Sequence, residues 1–123
     1  MIGYVTLGTN DLARAARFYD AIAAEMGVGR MMEFENFIAW GKPGGAAGIG
    51  LTKPFDGNPA SVGNGVMVAL EARDRAQVDR LHEIALAHGG TCEGPAGPRG
   101  DSGFYAAYFR DPDGNKLNAF IMG

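Results

Sequence analysis

Short stretches of alternating apolar and polar residues give way twice to a three-and-four spacing along this chain, and the order of the two patterns repeats. Residues 2–7 (IGYVTL) alternate as a strand does. Thr9, Asn10 and Asp11 then offer side-chain oxygens of the kind that cap a helix. Leu12, Ala15, Ala16, Tyr19, Ile22 and Ala23 fall on one stripe, which predicts a helix over 11–26 closed by Gly27. Strands are predicted at 30–35, 37–40 and 48–52, with Gly and Pro between them. The first half therefore reads βαβββ.

Residues 53–64 (KPFDGNPASVGN) hold two prolines and two glycines and read as a connector. Beyond them the pattern restarts. A strand is predicted at 65–72, then a helix at 74–88 with Val78, Leu81, Ile84 and Ala85 on one side, stopped by Gly89-Gly90. A weaker strand at 91–93 and a loop lead to two final strands, 104–110 and 116–122. Asp111-Pro112-Asp113-Gly114 joins these two, with Pro second and Gly fourth, as a type I turn prefers. Adding 63 to the residue number pairs Leu7 with Leu70, Asp11 with Asp74, Arg17 with Arg80 and Gly27 with Gly90, so strand, helix start and helix end coincide. The expectation is one α+β domain over 1–123, made of two βαβββ modules at about 1–53 and 65–123 with 54–64 between them.

Composition narrows the function classes. The chain has 123 residues, 46% apolar and 20% charged, ordinary values for a globular domain. No run approaches the roughly 18 apolar residues of a membrane span, and no basic segment followed by an apolar stretch opens the chain, so a cytoplasmic protein is expected. A net charge of −3 and scattered arginines argue against nucleic acid as a partner. The single Cys92 excludes an internal disulfide and a thiolate metal cluster. With no His or basic cluster beside it in sequence, Cys92 is expected to be a buried, inert thiol.

Alternation also sorts the strand residues by face. Val5, Leu7, Ile49, Leu51, Val66, Val68, Leu70, Leu117, Ala119 and Ile121 form an aliphatic set that should pack under the helices. The opposite faces carry Tyr4, Thr6, Gly48, Gly50, Thr52, Met67, Ala69, Lys116, Asn118 and Phe120, mixed in polarity like the wall of a cavity. His82 and His88 are six apart and form no i, i+4 metal pair, so surface or helix-end roles are expected. GKPGGAAGIG matches no phosphate-binding fingerprint. Glu33 and Glu35 read as the wet face of an edge strand. Arg99, Asp101 and Ser102 read as solvated loop residues, with closure over a ligand as the alternative. Trp40, Phe55, Phe104, Tyr105 and Tyr108 exceed what a plain core needs, and some of them are expected to line a cleft.

Three segments, YVTLGTNDLARAARFYDAI, NGVMVALEARDRAQVDRLHEIALAHGG and FYAAYFRDPDGNKLNAF, resemble the glyoxalase/bleomycin-resistance/dioxygenase superfamily, also called vicinal oxygen chelate proteins. The resemblance implies two βαβββ modules whose sheets curl into a half-barrel around a central cleft, commonly in a homodimer, with the modules paired within a chain or swapped between two. In metal-dependent relatives four strands each give one ligand. The matching positions here are Tyr4, Gly50, Met67 and Asn118, none of them His, Asp or Glu, so no metal and no cofactor is expected. The expected function is metal-independent binding of an unidentified, partly apolar small molecule in a cleft lined by Tyr4, Thr6, Gly50, Thr52, Met67, Asn118 and Phe120. Tyr4 hydroxyl and Asn118 amide would orient it. The alternatives are a glyoxalase-like lyase, isomerase or dioxygenase with an unrecognised metal or acid/base site, and a dimeric structural or regulatory module whose cleft is filled by its own side chains.

Overall fold

A computed structural model describes residues 1–123. The chain runs β1 (Tyr4–Gly8), α1 (Leu12–Glu25), β2 (Gly29–Phe34), β3 (Phe37–Gly41), β4 (Gly48–Thr52), β5 (Val68–Glu71), α2 (Arg75–Ala87), β6 (Thr91–Pro98), β7 (Phe104–Arg110) and β8 (Lys116–Met122). This is the expected α+β fold of two βαβββ modules. Asp11 caps α1 by accepting from the Arg14 amide at 3.0 Å, and Asp74 caps α2 through the Gln77 amide at 2.8 Å, so the 63-residue offset holds at both helix starts. Gly27 ends α1 at φ +76°, where a Cβ would be strained. Gly90 answers a different need, because a Cβ there would lie 2.6 Å from the Arg110 carbonyl oxygen and 2.7 Å from that of Ala85.

Two strands differ from the sequence expectation. β5 is shorter, because Val66 donates its amide to the Gly63 carbonyl and Gly65 takes φ +92°, which turns the backbone until Val68. Val66 is therefore exposed rather than under a helix, and Met67 precedes the strand. β6 is longer, running to Pro98 with register shifts about Gly94. As an edge strand it has one side free of ladder bonds, so Pro95 and Pro98 are tolerated where an interior strand would reject them.

The strands form two four-stranded sheets, β1-β4-β3-β2 and β5-β8-β7-β6, each with one parallel pair, β1 with β4 and β5 with β8. Each helix packs on one face of its own sheet and the helices pack on each other, while no strand of one sheet packs directly against a strand of the other. A single apolar core runs through both halves, from Leu7, Ile38, Trp40 and Leu51 through Phe18, Tyr19 and Ile22 to Leu81, Phe109 and Leu117. Phe18 of α1 meets Phe109 of β7 with ring centres 6.4 Å apart.

The β7–β8 turn locks the halves together. Asp113 accepts from Thr9 Oγ1 at 2.6 Å, from the Asn10 amide at 3.0 Å and from Arg14 Nη2 at 2.8 Å, all at the entry to α1. Buried Asp111 accepts from the Tyr19 hydroxyl at 2.7 Å and from Asn115 Nδ2 at 2.9 Å, and Asn115 Nδ2 also reaches the Gly8 carbonyl at 2.9 Å. Burial holds the Asp111 carboxyl above its usual range against the lowering effect of these bonds. Burial, together with the carboxylates of Asp111 and Asp113, likewise pushes the Tyr19 hydroxyl well up. No helix is long and apolar enough to cross a membrane.

Candidate ligand-binding faces

Because the helices lie between the sheets, each sheet leaves its other face uncovered. On the first sheet, cross-strand register sets Tyr4 and Thr6 of β1 beside Gly48 and Gly50 of β4, and Phe37 of β3 opposite Thr52. The glycines make room for neighbouring side chains. A Cβ at Gly50 would lie 2.6 Å from Cε1 of Phe37, and one at Gly48 would lie 2.6 Å from Cε of Met31. Phe37 meets Tyr4 edge-on at 6.3 Å and stacks near Phe34 at 6.4 Å, which makes an aromatic patch. Tyr4 is 54% exposed and Phe34 64%, so this patch is open to water.

The open face of the second sheet is more polar. Phe104 and Phe120 stack at 5.7 Å, and Asn118 of β8 lies between Ala69 of β5 and Tyr108 of β7. Asn118 is 2% exposed, yet its Oδ1 has no hydrogen-bond partner. A buried, unpaired amide oxygen costs about 1–3 kcal/mol, a penalty a folded chain seldom carries without cause. Above Tyr108 stand two cations, the Arg99 guanidinium at 5.4 Å and the Lys116 ammonium at 5.5 Å from the ring centre. Arg110, further along β7, is neutralised by Glu93 at 2.6 Å.

The seven residues expected to line a cleft thus divide between two surfaces. Tyr4, Thr6, Gly50 and Thr52 lie on the first sheet, Asn118 and Phe120 on the second, and Met67 just ahead of β5. Within one chain the two groups do not meet. One cavity of about 430 Å³ lies elsewhere, between α1, the first sheet and β5, among Tyr19, Ile22, Met26, Trp40, Ile49 and Leu70, and none of the seven lines it. Of the five surplus aromatics, Phe104 and Tyr108 join the open face. Trp40 is core, Tyr105 turns to the helix side to donate to Asp79 at 2.6 Å, and Phe55 is fully exposed in the connector.

Two expectations fail. Cys92 is exposed, not buried, and its Sγ lies 3.2 Å from Nε2 of His82, because β6 turns back along α2 and brings together residues ten apart. Arg99 lies in a loop as expected, just after β6, but is half-buried and not free in solvent. It folds back over β6, donating Nη1 to the Gly97 carbonyl at 2.8 Å and Nη2 to that of Pro95 at 2.7 Å. Sequence reading also passed over Phe34, Phe37 and Met31 as wall residues, since only the register of β2 and β3 puts them beside Tyr4 and Gly50.

The four positions that hold a metal in metal-dependent relatives do not fit an ion here. Phe37 fills the space beside Gly50, Met67 offers only a soft thioether, and Tyr4 and Asn118 are neutral groups that bind hard ions weakly. Nowhere in the chain do three or more His, Cys, Asp or Glu gather in a way that would hold a metal.

Comparison with known proteins agrees with this architecture. The family model described as Glyoxalase/Bleomycin resistance protein/Dioxygenase superfamily matches residues 1–119. Among solved structures, a glyoxalase/bleomycin resistance protein from Albidiferax ferrireducens T118 is 38% identical with a TM-score of 0.91, over 100% of this chain and 99% of that one. A glyoxalase/bleomycin resistance protein/dioxygenase family enzyme from Burkholderia phytofirmans PsJN shares the fold at 17% identity and TM-score 0.77, covering 98% of each chain. Lactoylglutathione lyase from Agrobacterium tumefaciens shares it at 23% identity and TM-score 0.72, over 98% of this chain and 92% of that one. No curated protein matches the sequence.

Proposed function

The chain belongs to the glyoxalase/bleomycin resistance protein/dioxygenase superfamily, and on that premise we propose that it is a metal-independent binding protein for a small, partly apolar molecule, working as a homodimer. The observation that carries this reading is the pair of uncovered sheet faces, each with aromatic side chains that water would otherwise wet. A second copy supplies what one chain lacks. When the first sheet of one copy faces the second sheet of its partner, Tyr4, Thr6, Gly50 and Thr52 stand across from Met67, Asn118 and Phe120, and a cleft forms between them. An aromatic wall with a few polar groups suits a planar ligand, with the Tyr4 hydroxyl and Asn118 amide fixing its orientation. The exposed thiol and net negative charge agree with a cytoplasmic protein that does not act on nucleic acid. A lyase or dioxygenase reading needs hard ligands that the four strand positions do not offer.

Sedimentation equilibrium should return twice the 12.9 kDa chain mass, and a monomer at micromolar concentration would remove the composite cleft. Ligand-observed NMR against planar aromatic compounds should find binders that are lost in Tyr4→Phe and Asn118→Ala. Unchanged binding in both variants would refute the site. Elemental analysis of protein purified without chelators should show no stoichiometric metal; a bound divalent ion would move the protein to the enzymatic branch of its family.

A further inference from the structure

The two cations at Tyr108 require an account that the aromatic walls do not provide. Neither Arg99 nor Lys116 has a carboxylate partner, whereas nearby Arg110 has Glu93. Their positions are also built. Gly94 and Gly97 lie beneath the folded Arg99, where a Cβ would stand in close contact with it, 3.3 and 3.4 Å from a guanidinium nitrogen. Bonds to the Gly97 and Pro95 carbonyls, and a longer one of 3.5 Å to that of Pro98, then hold the guanidinium over the ring, while its Nε–H makes no bond. The Lys116 ammonium makes no hydrogen bond and meets the same ring. Beside that ring lies Asn118, buried and with one amide atom unpartnered. Two unneutralised cations and an orphaned amide around one aromatic surface form a polar end without its counterpart.

We propose that this is an oxyanion subsite, and that the ligand is a planar or aromatic carboxylate. The inference rests on the small-molecule reading above and names its ligand class. The carboxylate lies between Arg99 and Lys116, where charge-assisted bonds form in a half-buried setting. The planar body extends past the edge of Tyr108 toward Phe120, and a donor on that body, or the flipped amide, satisfies Asn118.

The test uses the full-length protein and three ligands of one shape, 2-naphthoate, 2-naphthamide and 2-naphthylmethylamine, titrated into ¹⁵N-labelled chain and followed at the amides of residues 97–99, 108, 116 and 118. Naphthoate should bind about tenfold tighter than the amide, the size of one charge-assisted bond gained over a neutral one, and the amine weakest. Lys116→Gln leaves β6 untouched and should remove part of that preference; adding Arg99→Gln should reduce it to about twofold or less, while Arg99→Lys keeps most of it. Binding of all three without preference, or a preference that survives the double variant, would overturn the carboxylate subsite while leaving small-molecule binding standing. Failure of all three to bind would refute the aromatic cleft itself, and the subsite with it.

Discussion

Replacing Asn118 by leucine separates the stability of the fold from its use. In β8, Leu117 and Ala119 point into the core and Asn118 points the other way, nearly buried between Ala69 and Tyr108. The substitution removes an amide oxygen that has no partner, which is worth about 1–3 kcal/mol. It adds roughly one to two kcal/mol of apolar burial and sets against this up to about 1 kcal/mol for a slightly larger side chain, eased by the small Ala69 beside it. The net expectation is a gain of about 1–5 kcal/mol. Unfolding entropy of about 2 cal/mol/K per residue makes each kcal/mol worth about 4 °C in a chain of this length, so the midpoint should rise by about 4–20 °C. Scanning calorimetry at one fixed protein concentration reads it, since a dimer's midpoint moves with concentration. Naphthoate binding should fall in the same variant. A lower midpoint with binding intact would mean that the Asn118 amide is a structural bond donor and acceptor, and the case for an orphaned ligand contact would be lost.

Two further outcomes follow from the junction between the halves. Asp113→Ala removes three acceptor contacts at the start of α1 and should cost about 2–3 kcal/mol in urea unfolding, with Arg14→Ala costing less because that side chain is partly in water. Asp111 carries a sign that can be checked by pH: its carboxyl is raised in the fold, so the folded state holds the proton more tightly and stability falls as pH rises through the window between 3.8 and the raised value. Wild type should therefore gain on Asp111→Asn as pH is lowered from 7 toward 4. Asp20 and Glu25, held low by Arg30 and Arg80 respectively, lose their contribution below the ordinary carboxylate range in both proteins and cancel in the difference. A difference flat in pH would refute the buried-carboxylate account.

What could be read in advance was local. Asp11 and Asp74 cap their helices because a side-chain oxygen and an amide three residues on decide the matter without distant help. Strand alternation put Leu117 and Ala119 on one face and Asn118 and Phe120 on the other for the same reason, since period two needs no partner. The continuation of β6 beyond Glu93 was hidden because GPAGP has the composition of a loop, and it is a strand only by virtue of being an edge laid against β7. Contacts set by register and packing were equally hidden. Phe37 opposes Thr52 only once β3 and β4 pair, and Cys92 meets His82 only once β6 returns along α2.

Arg99 shows why the chemistry was harder to read than the fold. Its sequence context, GPAGPRGDSG, is that of a mobile turn, and two of the glycines that suggested mobility instead lie beneath a guanidinium 5.4 Å from the Tyr108 ring centre. Glycine at 94 and 97 is thus compatible with disorder and with close approach, and only the backbone decides between them. Gly50 works the same way on the other sheet: read as a missing metal ligand, it is the space that Phe37 occupies. At Gly50 the absence of a side chain is what admits an aromatic ring. A surface built by such omissions favours stacking and charge over coordination, which is why the ligand expected here is an aromatic anion and not a metal chelate.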